Sequence, residues 1–141
     1  MFITICRKSE VHKVCEDHKI SHVISTLDPY DKITAPSFVD GHLLLNFDDI
    51  EYDDDQYSPK AEHVAEILEW SSQLKDDDRL LVHCWAGVSR STALALAIWI
   101  QKHGRDYEAA KAWMLKARPI ACPNRLIAKY ADEILGCDGE L

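Results

Sequence analysis

The sequence predicts an α/β fold, and three observations lead to that class. Short apolar stretches of strand length alternate with longer stretches whose apolar residues recur at helical spacing. One junction, from Leu80-Leu81-Val82-His83-Cys84 through a glycine-containing loop into the apolar run Ser91 to Ile100, reads as strand, tight loop and buried helix. The chain's 141 residues, 47% of them hydrophobic, suit one domain over 1–141 with a core of its own.

Taken in order, Phe2 to Cys6 reads as the first strand. Ser9 is the expected N-cap of a helix from about Glu10 to His18, with Val11, Val14 and Cys15 facing inward. Ile20 to Leu27 is the next strand, closed by Asp28-Pro29, and Tyr30 to Asp40 reads as loop with one turn of helix at most. Gly41 opens a third strand, His42 to Phe47, which runs into Asp48-Asp49-Ile50. Asp53-Asp54-Asp55 lacks the glycine and the distal glutamate of a calcium loop and reads as a solvated turn. Ser58 and Pro59 are expected as N-cap and first residue of a helix to about Leu74, with Val64, Ile67, Leu68 and Leu74 on one face. Asp76-Asp77-Asp78 turns into the Leu80 strand, and the helix after the loop ends near Gly104. Asp106 caps a helix Tyr107 to Ala117, in which Trp113 and Met114 are expected in the core. Asn124 caps the last helix, which runs to Leu135 and is closed by Gly136.

The loop after the fourth strand carries the chemistry. Backbone N–H groups that converge in a tight turn, together with the unpaired donors and positive dipole of a helix N-terminus, form a cradle for a tetrahedral oxyanion. Trp85, Ala86, Gly87, Val88, Ser89 and Arg90 line that cradle. Cys84 enters it at the strand end, where the same N–H groups and the Arg90 guanidinium favour a thiolate, the nucleophilic form of sulfur. Arg90 offers a planar fork for two phosphoryl oxygens at once. Ser91 is positioned to hydrogen-bond the sulfur, and His83 either orients the loop from behind or is a satisfied strand-end histidine.

Composition removes several classes. A net charge of −8 with no basic cluster argues against nucleic acid as the main partner. The cysteines Cys6, Cys15, Cys84, Cys122 and Cys137 are odd in number and show neither a disulfide framework nor metal-ligand spacing, so a reducing, cytoplasmic compartment and no metal are expected. The apolar run before Arg7-Lys8 is too short for a signal peptide, and Ala93 to Ile100 is too short to span a membrane. A soluble monomer without a cofactor is the expectation.

The run His83-Cys84-x-x-Gly87-x-x-Arg90-Ser91 resembles the signature of the cysteine-dependent protein tyrosine phosphatases, specifically their small dual-specificity branch. A second resemblance is Arg118-Pro119-Ile120-Ala121-Cys122-Pro123-Asn124, whose Asn124 would support the catalytic loop through hydrogen bonds as well as capping its helix. The resemblance runs from about Ile20 to Leu135. It implies a single three-layer domain with a central, mostly parallel sheet of four to five strands flanked by helices. It also implies a general acid after the third strand. Matching strand to strand points to Asp49, 35 residues before Cys84, with Asp48 as runner-up and two solvated loop carboxylates as the alternative. Asp28 to Pro36 is either a recognition loop at the substrate entrance or a plain connection. Where the family has aromatic and Gln positions after Pro-Asn, this chain has Arg125-Leu126-Ile127-Ala128-Lys129-Tyr130, so a water-positioning Gln is not carried over. The loop lacks the lysines of a phosphoinositide-type member, and little chain precedes Asp49 to deepen a phosphotyrosine pocket.

The expected function is therefore a phosphomonoester hydrolase of the protein tyrosine or dual-specificity type, acting through a cysteinyl-phosphate with an Asp general acid on a phosphorylated protein or small phosphoester. A phosphate- or phosphopeptide-binding module with weak catalysis, and a sulfurtransferase or arsenate reductase using the same Cys loop, are the alternatives. Cys122 is expected as a small core residue; a role as resolving thiol for an oxidised Cys84 is the sharper possibility.

Overall fold

A computed structural model describes residues 1–53 and 55–141, so Asp54 of the acidic turn lies outside the described residues. The elements are β1 (Phe2–Arg7), α1 (Val11–His18), β2 (His22–Leu27), β3 (Gly41–Asn46), α2 (Ala61–Ser72), β4 (Arg79–Cys84), α3 (Arg90–His103), α4 (Tyr107–Ala117) and α5 (Arg125–Leu135), with a 3₁₀ turn at Lys8–Glu10. The four strands form one sheet in the order β1-β4-β2-β3, every neighbouring pair parallel. The expected α/β class and central parallel sheet are borne out, at four strands.

Residue alternation along the strands sets the layers. Ile3, Ile5, Ile24, Leu80 and Val82 pack into the larger core with residues of α2, α3, α4 and α5. Cys6, Val23 and Leu81 point to the opposite face and pack with Val11 and Cys15 of α1 and with Ile20. A strand buried on both faces reads as a continuous apolar run, as Leu80-Leu81-Val82 does. Central β4 ends at Cys84, and α3 starts six residues later. Ala93 to Ile98 of α3 are each at most 4% exposed, because the helix lies against the sheet and three other helices.

The helix starts show where local signals compete. Asp106 accepts from the Ala109 N–H at 3.1 Å, Asn124 accepts from the Ile127 N–H at 3.0 Å, and Gly136 closes α5 at φ 68°, all as expected. Ser9 does not cap α1: the 3₁₀ turn occupies that place, and the helix begins at Val11 behind Glu10. Nor does Ser58 cap α2. Its hydroxyl donates to Asp53 and to the Asp55 carbonyl, and the helix starts at Ala61, where His63 Nδ1 accepts from the Lys60 N–H at 3.0 Å. The Ser58 oxygen accepts from Lys60 Nζ at 2.9 Å and not from a helix N–H. Trp113 and Met114 pack against the main core, and Met114 is buried.

Leu94, fully buried at the centre of α3, carries a direct test of this packing. Leu94→Ala is expected to lower the free energy of unfolding by about 3 kcal/mol, read as a lower urea midpoint at unchanged slope.

Candidate active site

The chain from Cys84 to Arg90 folds around its own N–H groups because its carbonyls are held elsewhere. Thr26 Oγ1 donates to the His83 carbonyl (3.2 Å), His83 Nδ1 to that of Cys84 (3.1 Å), and the Lys8 N–H to that of Trp85 (3.0 Å). Arg118 takes the next two, Nη2 to Ala86 O at 3.0 Å and Nε to Gly87 O at 2.9 Å. The Cys122 N–H reaches Val88 O at 2.9 Å and the Asn124 N–H reaches Ser89 O at 3.0 Å. Gly87 turns the loop at φ 69°, and a Cβ there would lie 2.7 Å from the backbone carbonyl of Cys6. No other residue fits this place, for conformational and steric reasons at once.

Cys84 is 2% exposed. Burial pushes its thiol up, but the hydrogen bonds of Ser91 (Oγ at 3.1 Å) and the Gly87 N–H (3.2 Å), with the charge of Arg90, outweigh it and bring the thiol below its ordinary value. Two other buried thiols behave oppositely: burial raises Cys6 to about 12 and Cys15 to about 11. Arg90 is itself buried. Its Nη1 donates to the Phe47 carbonyl and to Asp28 Oδ1, each at 2.8 Å. Among the described residues, Arg90 Nε is the buried side-chain nitrogen left without a partner. A buried guanidinium N–H without an acceptor is costly, and an oxyanion in the cradle is the acceptor that chemistry suggests.

Asp49 stands over this loop. Its Oδ1 accepts from Ser89 Oγ at 2.7 Å and from Asn124 Nδ2 at 2.9 Å, and Asn124 Nδ2 also donates to the Ile50 carbonyl. Asp48 is tied through its backbone, its N–H donating to Tyr57 O. Arg125, read as a departure from the family pattern, pairs with Glu51 at 3.3 Å, and its N–H reaches the same carboxylate at 2.7 Å. Asp28 opens a tight turn in which the Asp31 N–H returns to the Asp28 carbonyl, and Asn46 Nδ2 donates to both the Asp28 and Asp31 carbonyls. A cleft of about 530 Å³ opens beside the loop, with Ile33, Trp85, Val88 and Ile120 as apolar walls and Lys8 and Arg118 among them. Trp85 and Ile120 stay 62% and 60% exposed.

The comparisons with known proteins follow this geometry. A family model described as dual specificity phosphatase, catalytic domain, matches residues 2–131. The chain belongs to the dual specificity phosphatase catalytic domain family. Human dual specificity protein phosphatase 18 is 39% identical over 70 residues, which is 50% of this chain and 34% of that protein. A probable dual specificity protein phosphatase of Dictyostelium discoideum is 28% identical over 117 residues, 81% of this chain and 27% of its own length. The chain thus spans about a third or less of the length of these relatives. In fold, the human tyrosine phosphatase-like serine/threonine/tyrosine-interacting protein superposes with a TM-score of 0.75 at 22% identity, covering 96% of this chain and 92% of that one. The Yvh1 phosphatase domain from Chaetomium thermophilum gives 0.68 at 24% identity, covering 96% and 90%.

In this dual specificity phosphatase domain Cys84, Arg90, Ser91, Asp49, Asn124 and His83 are brought together around one loop. Two contacts went unread: Asp28 pairs with Arg90 across 62 positions, and Arg118 braces the loop from behind. Ser89, already read as part of the cradle, also links the loop to Asp49. Arg118 lay inside a motif already singled out, and Asp28 opened the stretch read as recognition loop or plain connection, but its pairing with Arg90 carried no local signal. Cys122 is corrected: it is exposed rather than a core residue, and its contribution is its N–H to Val88. Among the described residues no group of His, Cys, Asp and Glu side chains is arranged to hold a metal ion, and no helix is long and apolar enough to cross a membrane.

Gly87→Ala is expected to destabilise the fold by at least about 2 kcal/mol, from positive φ and the contact with β1 together, measured by chemical denaturation. His83 gives a pH dependence. Burial lowers it from 6.5 to about 4, so between these values the unfolded chain binds a proton that the folded chain refuses. Stability is complete above pH 6.5 and falls as the pH drops toward 4, by about 3 kcal/mol at most. Denaturation midpoints across that range should flatten in His83→Gln.

Proposed function

We propose that this domain hydrolyses phosphomonoesters in two steps through a phosphocysteine. The observation that carries the reading is the pairing of a buried, hydrogen-bonded Cys84 sulfur with a buried Arg90 whose Nε has no partner. A phosphoryl group with its oxygens on Arg90 and on the N–H groups of residues 85–90 fills both vacant roles. Cys84 Sγ attacks phosphorus, and the bond to the leaving oxygen breaks. Asp49, its Oδ1 anchored by Ser89 and Asn124, gives a proton from Oδ2 to that oxygen. Water then attacks phosphorus and passes a proton back to Asp49. The sulfur leaves as a thiolate that accepts the hydrogen bond of Ser91.

The substrate class we infer is a phosphorylated protein, with phosphotyrosine and phosphoserine or phosphothreonine both admissible. The apolar walls of Trp85, Ile33 and Ile120 adjoin the loop, so they would take up whatever lies next to the phosphoryl group. The acidic chain as a whole repels strongly anionic ligands at long range, which sets phosphoproteins above polyphosphorylated ones.

The test is release of phenolate from an aryl phosphate at mildly acidic pH in the presence of chelator. Cys84→Ser is expected to abolish turnover, and Asp49→Asn to lower kcat by about 10² or more. Full activity in Asp49→Asn would transfer the acid role to Asp48. Tight phosphopeptide binding without turnover in the unsubstituted protein would replace the hydrolase with a binding module, and rapid cyanide-dependent thiocyanate release would replace it with a sulfurtransferase.

A further inference from the structure

Two of the chain's exposed large apolar side chains, Trp85 and Ile120, border the same cleft beside the Cys84–Arg90 loop, and Ile33 and Val88 complete its apolar walls. A single exposed apolar residue is ordinary, but four that converge on a cavity of about 530 Å³ make the lining of a ligand site. Trp85, Ala86 and Val88 belong to the cradle as well, so the cleft is continuous with the place where, among the described residues, Arg90 Nε has no partner. A ligand held in the cradle therefore puts its adjoining part into the cleft.

The walls are fixed before any ligand arrives. The Trp85 carbonyl accepts from the Lys8 N–H at 3.0 Å. Ile33 stands between Asp31, which Lys8 Nζ holds at 2.8 Å, and Thr34, whose carbonyl accepts from His12 Nε2 at 2.9 Å. Ile120 sits in a turn closed by the Ala121 N–H on the Arg118 carbonyl at 2.9 Å. A preformed wall needs little ordering when a ligand binds, so its apolar area goes into affinity.

Charge decides the kind of occupant. Arg7, Lys8 and Arg118 also border the cleft, which by itself would suit an acidic or a second phosphorylated residue. Each of them already faces a carboxylate. Glu10 Oε1 lies 3.4 Å from Arg7 Nε and 3.8 Å from Arg118 Nη1, and Asp31 takes Lys8. Arg118 spends Nε and Nη2 on the Gly87 and Ala86 carbonyls. An anion entering here meets Glu10 and Asp31 together with the cations, and ion pairs at a surface project little field through salt water. The apolar walls are left as the source of binding energy.

We propose, resting on the reading of the substrate as a phosphoprotein, that this cleft is a subsite for a large apolar residue next to the phosphorylated one, with Ile33 and Ile120 determining that specificity. An aliphatic or aromatic side chain gains by leaving water there. Asp, Glu or a second phosphorylated residue gives up hydration against carboxylates, and Gly gains nothing.

The experiment compares three phosphotyrosine peptides that carry Leu, Gly or Asp on both sides of the phosphotyrosine. Two quantities are read: kcat/KM for phosphate release by the unsubstituted protein, and affinity for Cys84→Ser by fluorescence polarisation. Leu is expected to exceed Gly by about tenfold, and Asp to fall at or below Gly. Ile33→Ser and Ile120→Ser should each cut the Leu-to-Gly ratio about threefold and together bring it near one. Ile134→Ser, which removes an exposed apolar residue of α5 outside the cleft, should leave the ratio where it was. A ratio is untouched by partial loss of folded protein, so lost structure cannot imitate the result. Leu and Gly peptides handled alike, Asp above Gly, or a ratio that survives the double substitution would overturn the proposal, and hydrolysis of all three at one rate would do so while leaving the phosphatase reading intact. Binding needs no turnover, so a Cys84→Ser protein that prefers Leu through these walls, while the unsubstituted protein hydrolyses none of the peptides, would sink the proposed function and leave the subsite standing.

Discussion

The orientation of seven consecutive carbonyls, from His83 to Ser89, is the constraint on which the rest of the structure depends. Each peptide unit has its N–H and C=O on opposite sides, so a loop whose carbonyls are drawn outward must present its N–H groups inward. Isolated, a loop this short would rotate its peptides freely and average that field away. The donors that prevent this come from β1's end, from β2, from α4's C-terminal flank and from the connection into α5. A loop of a few residues with this orientation therefore needs most of the chain around it.

Burial of charge imposes the second demand. A guanidinium that is 5% exposed in its side chain cannot stay in the core unpaired, and Arg90 is met by the half-exposed Asp28 and by the Phe47 carbonyl. Asp28 reaches it from a turn pinned by Asn46 and by the Lys8–Asp31 pair, so that turn and the Cys84–Arg90 loop are mechanically one unit. The Asp49 side is tied in the same manner through Asn124, which caps α5 with its Oδ1 while its Nδ2 holds Asp49 and the Ile50 carbonyl. One residue thus couples the helix, the Asp49 segment and, through its backbone N–H, the Cys84–Arg90 loop.

Much of this was legible in the residues. Periodicity located all four strands and five helices, since burial on one or two faces leaves a period in the sequence. Caps at Asp106, Asn124 and Gly136 were readable because their partners lie within four residues. Ser9 and Ser58 misled for the same local reason: each is a good cap by type, and in each case a neighbouring turn took precedence. The pairing of Asp28 with Arg90 was invisible because the two lie 62 positions apart.

By itself the sequence determined the α/β class, the strand-loop-helix unit and the residue types of the Cys84–Arg90 loop, because these follow from short-range pattern: apolar period, a glycine where φ must be positive, and a thiol and a guanidinium six positions apart. Tertiary structure alone decided which way the loop's peptides face, which carboxylate Arg90 pairs with, and which tautomer His83 adopts. Those choices depend on hydrogen-bond donors and acceptors that meet only when β1, β2, β3 and the α4–α5 connection close around β4. Pairings formed across the sheet leave no period in the chain.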